Sequence, residues 1–171
     1  SFDAAIFELC MALLAGATLV MPPDHVIADP AAFADFLEAE RISVMTLPPT
    51  YLQVLPRRNY DALRVIITAG EAPRLGDVSY YCSQIEYYNA YGPTESSIWT
   101  TIRRVLPGSD AHTMVSNLGV PIRNLSVWVL DSNLKLMPIN HFGEICIGGV
   151  GVAQGYLNDA ERTRRQFVTN P

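Results

Sequence analysis

The chain has 171 residues, enough for one domain with a sizeable core, and combines 49% hydrophobic with 17% charged residues at a formal net charge of −5. Its apolar stretches are short and broken by Pro, Gly or charge, so none suits a bilayer span. Its 12 Lys and Arg form no basic stripe, which excludes the electrostatic footprint of a nucleic-acid binder.

Residues 5–16, AIFELCMALLAG, are apolar around the whole helical circumference and end on Gly16, which predicts a helix buried against a sheet. TLVM, residues 18–21, follows as a predicted strand. Asp29 is placed to cap, and Pro30 to open, a helix through residues 28–41 that carries Phe33, Phe36 and Leu37 on one face. A continuous apolar strand at 42–47, a short helix at 49–55, a strand at 63–70, a helical region from Asp77 to Ser83 and a strand at 85–91 repeat the rhythm. Helices alternating with near-continuously apolar strands imply an α/β fold, with a parallel sheet covered on both faces.

After about Arg104 the pattern changes. A polar loop through LPGSDAH (106–112) leads to strand-like LSVWVLD (125–131), a turn around Asn133 and strand-like GEICIGG (143–149), which reads as antiparallel β structure. A last helix is predicted from Asp159 to Phe167, with arginines toward its end. Cys10, Cys82 and Cys146 stand far apart in apolar settings without metal-ligand spacing, and read as buried thiols of a reducing cytoplasm.

In an open parallel sheet, ligands bind beyond the carboxyl ends of the strands, and TLPPT (46–50), TAGEA (68–72) and NAYGPTESS (89–97) all fall at such ends. In the last of these, Gly92 and Pro93 force a turn that frees backbone N–H groups. Thr94 supplies a hydroxyl for a phosphate oxygen, Glu95 a carboxylate for Mg²⁺, and Tyr91 a flat ring for a base. The same residues also suit a plain Gly-Pro turn in which Thr94 and Glu95 open a helix. His25, His112 and His141 sit in polar stretches with no acid or nucleophile at useful spacing, and Ser96 and Ser97 have no Ser-His-Asp partners.

NAYGPTE (89–95) resembles the signature of the adenylate-forming enzymes, specifically the adenylation domains of nonribosomal peptide synthetases. SFDAAIFE (1–8) resembles their amino-acid-binding motif, and GEICIGGVGVAQGYL (143–157) their downstream Gly-rich β motif, so three strings stand in family order along essentially the whole chain. The resemblance implies an enzyme that condenses an amino acid with the α-phosphate of ATP, uses Mg²⁺, and passes the acyl group to a phosphopantetheine thiol on a carrier protein. It implies that Asn89 meets the adenine edge, Tyr91 stacks on the adenine, Thr94 contacts the α-phosphate and Glu95 holds the metal. Thr94 and Glu95 would be catalytic, while Gly70, Glu71, Ala72 and Gly92 line the nucleotide site. Charge develops at the phosphate during attack, and donors with a metal are what neutralise it.

By the same resemblance Asp3 pairs with the substrate's ammonium; the alternative is a surface carboxylate capping the helix that follows. Ala4, Phe7, Thr46, Ile67, Ala69, Ala90, Ile98 and Trp99 would complete an apolar pocket with small residues on one side. Such a pocket fits a neutral hydrophobic amino acid, phenylalanine ahead of others, although Trp99 is bulkier than the pattern leads one to expect. The chain begins with Ser, lacks the family's upstream phosphate loop, and has a single lysine, Lys135, in no catalytic motif. It is therefore expected to be an internal piece, inactive alone. Residues 1–104 would form a flavodoxin-like α/β subdomain with the amino-acid pocket, and 105–171 a linker, part of a distorted-barrel β subdomain and a terminal helix. A condensation domain and a peptidyl carrier protein would be its neighbours in the cytoplasm, with neither nucleic acid nor membrane as partner. An acyl- or aryl-CoA synthetase relative, or a non-catalytic substrate-binding module, are the alternative readings.

Overall fold

The computed structural model describes residues 3–169, so Ser1 and Phe2 of the N-terminal string lie outside it. Three strands with β-branched or aromatic residues form the centre: β1 (Val44–Leu47), β2 (Val65–Ala69) and β3 (Glu86–Tyr91). They pair in parallel in that order, and β4 (Thr101–Val105) and β5 (Val120–Pro121) extend the same sheet antiparallel beyond β3. A separate antiparallel pair, β6 (Leu125–Leu130) and β7 (Glu144–Gly149), follows, and the described residues contain no closed barrel. Between β6 and β7, the Asp131 carboxylate accepts the amides of Asn133 and Lys135, which makes the predicted turn.

Among the described residues seven α-helices accompany these strands: α1 (Ala4–Leu14), α2 (Asp24–Ile27), α3 (Pro30–Ala39), α4 (Pro49–Val54), α5 (Leu75–Cys82), α6 (Ala111–Ser116) and α7 (Ala160–Gln166). Asp29 caps α3 by accepting the Ala31 amide, with Pro30 at its first position.

The period-two alternation of the strands divides the sheet into unequal faces. On one face Met45, Ile66, Tyr87 and Val105 meet Phe33, Ala34 and Leu37 of α3, Leu52 of α4, Val78, Tyr81 and Cys82 of α5, and Met114 of α6. On the other, the buried residues are Ile67, Ala90 and Trp99, with Phe7 of α1 laid against them. Both faces are covered, as expected, but unevenly: among the described residues α1 and residues 98–99 lie against the second face, and Val44 stays half exposed.

Four expectations are corrected. Helix α1 forms as predicted but buries none of its residues: of its side chains only Phe7 joins the cluster on the sheet, and Leu14, two turns on along the same side, is 86% exposed. TLVM is irregular, because no described strand pairs with it. LPGSDAH is not all loop: Asp110 accepts the Thr113 amide and starts α6 there, so His112 has a helical backbone. Of the three thiols only Cys82 is buried; Cys10 is exposed on the Phe7 side of α1, where an open hollow lies against it, and Cys146 is half-buried in the thin β6–β7 pair. His25 falls in the short α2, exposed as expected, and His141 is exposed too.

Candidate functional site

Register builds the first half of the site. Thr46 lies beside Ile67 and Ile67 beside Tyr88, while Ala69 lies beside Ala90 and Ala90 beside Ile102, so all six share one face near the carboxyl ends of β1–β3. Phe7, Ile67, Ala69, Ala90, Ile98 and Trp99 join in a single cluster on that face, with the Phe7 and Trp99 rings edge to face at 4.5 Å. Ala4 and Asp3 stand three and four residues before Phe7, on the side of α1 that carries it. The Asp3 carboxylate makes no cap hydrogen bond to α1, so the capping role does not account for it.

A hollow of about 460 Å³ opens beside this cluster, lined by Phe7, Ile98 and Trp99 together with Cys10, Met11 and Leu14 of α1. It holds three of the nine residues expected around the amino acid and includes neither Asp3 nor Glu95.

The loop after β3 supplies the second half. Asn89 is buried and, with Tyr91, points to the face opposite Ala90. Gly70 leaves β2 at φ +92, with Glu71 and Ala72 exposed beyond it. Gly92 is pressed onto the returning chain, where a Cβ would lie 2.5 Å from the Thr100 nitrogen, and the Thr100 amide donates to the Tyr91 carbonyl at 2.7 Å. Residues Thr94–Ser96 make a single 3-10 turn rather than an α-helix. The buried Ser96 hydroxyl donates to the Pro93 carbonyl at 2.9 Å and sits 2.5 Å from the Thr100 hydroxyl. This closes the turn and leaves Thr94 exposed at its tip. Ser97 and Ile98 follow at φ 62 and 78, a costly conformation for a β-branched residue, of order 1–3 kcal/mol.

A strap from the end of β7 runs along this loop. The Ala153 amide donates to the Glu95 carbonyl at 2.8 Å, the Ser97 hydroxyl to the Gly151 carbonyl at 2.7 Å, and the Tyr156 hydroxyl to the Glu95 carboxylate. The Tyr156 bond first, the backbone amide second and the Arg162 charge in smaller measure hold the Glu95 carboxyl below the usual range, so it is ionised at neutral pH. Among the described residues no group of three His, Cys, Asp or Glu side chains could hold a metal, which leaves Glu95 as a single carboxylate in this loop.

Tyr156 and Arg162 are the site neighbours that the sequence did not disclose. Their string was legible as a Gly-rich motif, but Tyr156 meets a residue 61 positions away, and no local periodicity signals such a partner.

Strand-end loops gathered beside an apolar face are the arrangement in which open α/β sheets hold ligands, at the carboxyl edge of the parallel strands. The chain belongs to the AMP-binding enzyme family, whose model matches residues 1–157. It is 42% identical to tyrocidine synthase 1 of Brevibacillus parabrevis and 38% identical to gramicidin S synthase 1 of Brevibacillus brevis, over all of its 171 residues. It spans 16% and 15% of the length of those two proteins. Among solved structures, it resembles the nonribosomal peptide synthetase FmoA3 in its α-methyl-L-serine-AMP-bound form, with 29% identity and a TM-score of 0.90 over 99% of this chain and 20% of that one. A holo four-domain nonribosomal peptide synthetase bound to AMP and glycine gives 31% identity and a TM-score of 0.88 over 99% of this chain and 13% of that one. The resemblance to adenylation domains of nonribosomal peptide synthetases thus holds along the whole chain.

Proposed function

We propose that this chain is the central part of an adenylation domain that joins a neutral hydrophobic amino acid, phenylalanine first, to the α-phosphate of ATP and then loads a carrier-protein phosphopantetheine thiol. The observation that carries the reading is the cluster of Phe7, Ile67, Ala69, Ala90, Ile98 and Trp99 on one sheet face, at the strand ends from which the Gly92–Glu95 loop departs. An apolar wall without charge disfavours ionised side chains on the substrate, and small Ala69 and Ala90 leave room for a ring. Asp3, uncapped at the start of α1, is the counter-charge for the substrate ammonium.

On the nucleotide side, Asn89 would meet the adenine edge and Tyr91 its face, Gly70, Glu71, Ala72 and Gly92 would line the path, and Thr94 would donate to the α-phosphate. One ionised carboxylate combined with substrate phosphates is a normal coordination for Mg²⁺, so Glu95 fits the role of holding it. When bound, the metal neutralises charge on the phosphates; Thr94 and the loop amides orient the α-phosphorus for attack by the carboxylate, and pyrophosphate departs. A condensation domain and a carrier protein in the same cytoplasmic assembly would supply the next steps. No helix of the described residues is long and apolar enough to cross a membrane.

The test is amino-acid-dependent pyrophosphate exchange by the intact synthetase that contains this chain, with Asp3→Ala compared against the unaltered protein. Loss of one charge-assisted contact predicts about a tenfold to hundredfold rise in the amino-acid KM. Activation of the des-amino acid should change little. An Asp3→Ala variant that selects amino acids as well as the unaltered protein would show that the ammonium is held elsewhere.

A further inference from the structure

Glu95 is the middle residue of a three-residue turn, and the two residues after Ser96 have positive φ. A glutamate side chain there has three free torsions, whose ordering costs up to roughly 2 kcal/mol, so something must hold the carboxylate if it is to be ready for a ligand. We propose that Tyr156 is the positioning residue of this site. Its hydroxyl occupies one oxygen of the Glu95 carboxylate and fixes the rotamer that presents the other oxygen to the magnesium ion of the nucleotide complex. This rests on the reading of Glu95 as the metal-holding carboxylate.

The construction around Tyr156 supports a dedicated role. The Arg162 guanidinium lies 4.0 Å from the centroid of its ring, and Phe167 meets the ring edge-on at 5.5 Å. The Tyr156 amide donates to the Thr163 hydroxyl at 2.8 Å, and that hydroxyl donates to the Asp159 carbonyl at 2.8 Å. Asp159 in turn caps α7 by accepting the Arg162 amide at 2.9 Å. Gly155, at φ +139, brings the chain so close to α7 that a Cβ would sit 2.5 Å from Cγ2 of Thr163. Helix α7 buries none of its own residues, yet Arg162 and Thr163 both bear on Tyr156. Meanwhile the Ala153–Glu95 and Ser97–Gly151 bonds set the strap in register with the loop, which delivers the phenol to Glu95 rather than to a neighbour. The cation over its face and the ring at its edge hold the phenol in one orientation, so its hydroxyl meets the Glu95 carboxylate in a fixed geometry.

The experiment uses the intact synthetase with Tyr156→Phe, Phe167→Leu, Arg162→Met and Arg162→Lys, and Glu95→Gln as reference. Manganese binding in the presence of ATP is read by electron paramagnetic resonance, alongside the magnesium requirement of pyrophosphate exchange, the amino-acid KM and the thermal midpoint. Loss of one hydrogen bond to the carboxylate predicts that Tyr156→Phe weakens manganese binding about threefold to tenfold and raises the magnesium requirement in parallel. The amino-acid KM should stay within about twofold. Arg162→Met should show a smaller loss of the same kind, and Arg162→Lys should recover most of it. If Tyr156→Phe fails to fold, Phe167→Leu decides, since it keeps the hydroxyl and every charge near Glu95 and removes one support of the ring. Manganese affinity unchanged in the folded variants overturns the proposal, whatever happens to turnover. If Glu95→Gln also leaves manganese affinity unchanged, the underlying assignment of Glu95 fails as well, which distinguishes the two failures.

Discussion

Gly92 has no room for a methyl group. A Cβ there would lie 2.5 Å from the Thr100 nitrogen and 2.6 Å from the Trp99 Cα, both backbone atoms that no rotamer change can move aside. Gly92→Ala should therefore push the returning chain away and cost about 1–3 kcal/mol in urea unfolding. Because Glu95 sits on the loop between Gly92 and the displaced Trp99–Thr100, the same variant should lose pyrophosphate exchange out of proportion to its stability; equal stability with full exchange would contradict the close approach. This glycine was readable beforehand, since Gly-Pro after an apolar strand has few conformational solutions. Tyr156 was not, because its partner is fixed by how β7 and its strap return to the first sheet, a tertiary event with no trace in local spacing. Trp99 was legible only in part: its place on the pocket face was expected, whereas its edge-to-face packing on Phe7 emerges from the docking of α1.

Adjacent residues of β2 separate stability from ligand contact. Ile66 is wholly buried among α3, α5 and the strands, while Ile67, its neighbour, faces the thin cluster with Ala90 and Trp99. Ile66→Ala should destabilise by about 2–5 kcal/mol. Ile67→Ala, where the surroundings can collapse or are open to solvent, should fall at or below the bottom of that range and chiefly alter amino-acid selectivity. Equal losses by denaturant titration would show that the two faces are not as unequal as their packing implies. Helix α1 belongs to the same contrast, because an element with no buried residue opens locally at low cost. Amides in its last turn, Met11–Leu14, should exchange with deuterium far faster than those of Ile66 and Tyr87. Helix α3 was legible from its Asp-Pro start and single apolar face, and the parallel strands from their continuous apolar runs, whereas α2, four residues long, is too short to show either signal. TLVM has the composition of a strand but no partner, and β4, with its Thr and Arg residues, has partners without the apolar signal. Helix α6 was hidden because Pro107 and Gly108 announce a loop three residues before an Asp cap begins a helix.

Across the whole molecule, the larger core is unusually rich in phenols, and this gives its stability a dependence on alkaline pH. Tyr60, Tyr81 and Tyr87 are all nearly or wholly inaccessible. Burial pushes the Tyr60 and Tyr87 hydroxyls up to about 12, the Thr68 bond offsetting part of the effect at Tyr87, and burial pushes Tyr81 up as well. An unfolded tyrosine ionises near pH 10, so above that value the unfolded chain releases protons that the folded core retains. The stabilising contribution of these groups is fully present below about pH 10 and is lost as the pH climbs toward and through 12. The urea midpoint of the chain should accordingly hold steady on the neutral side and fall above about pH 10, while absorbance at 295 nm shows a late phase from phenols that resist ionisation until unfolding exposes them. Tyr87→Phe supplies the internal control. It breaks the 2.7 Å bond to Thr68, so it should lower stability by about 1 kcal/mol at neutral pH, yet it removes one titrating group and should make the alkaline decline shallower. A decline as steep as in the unaltered chain would place the pH sensitivity outside this core.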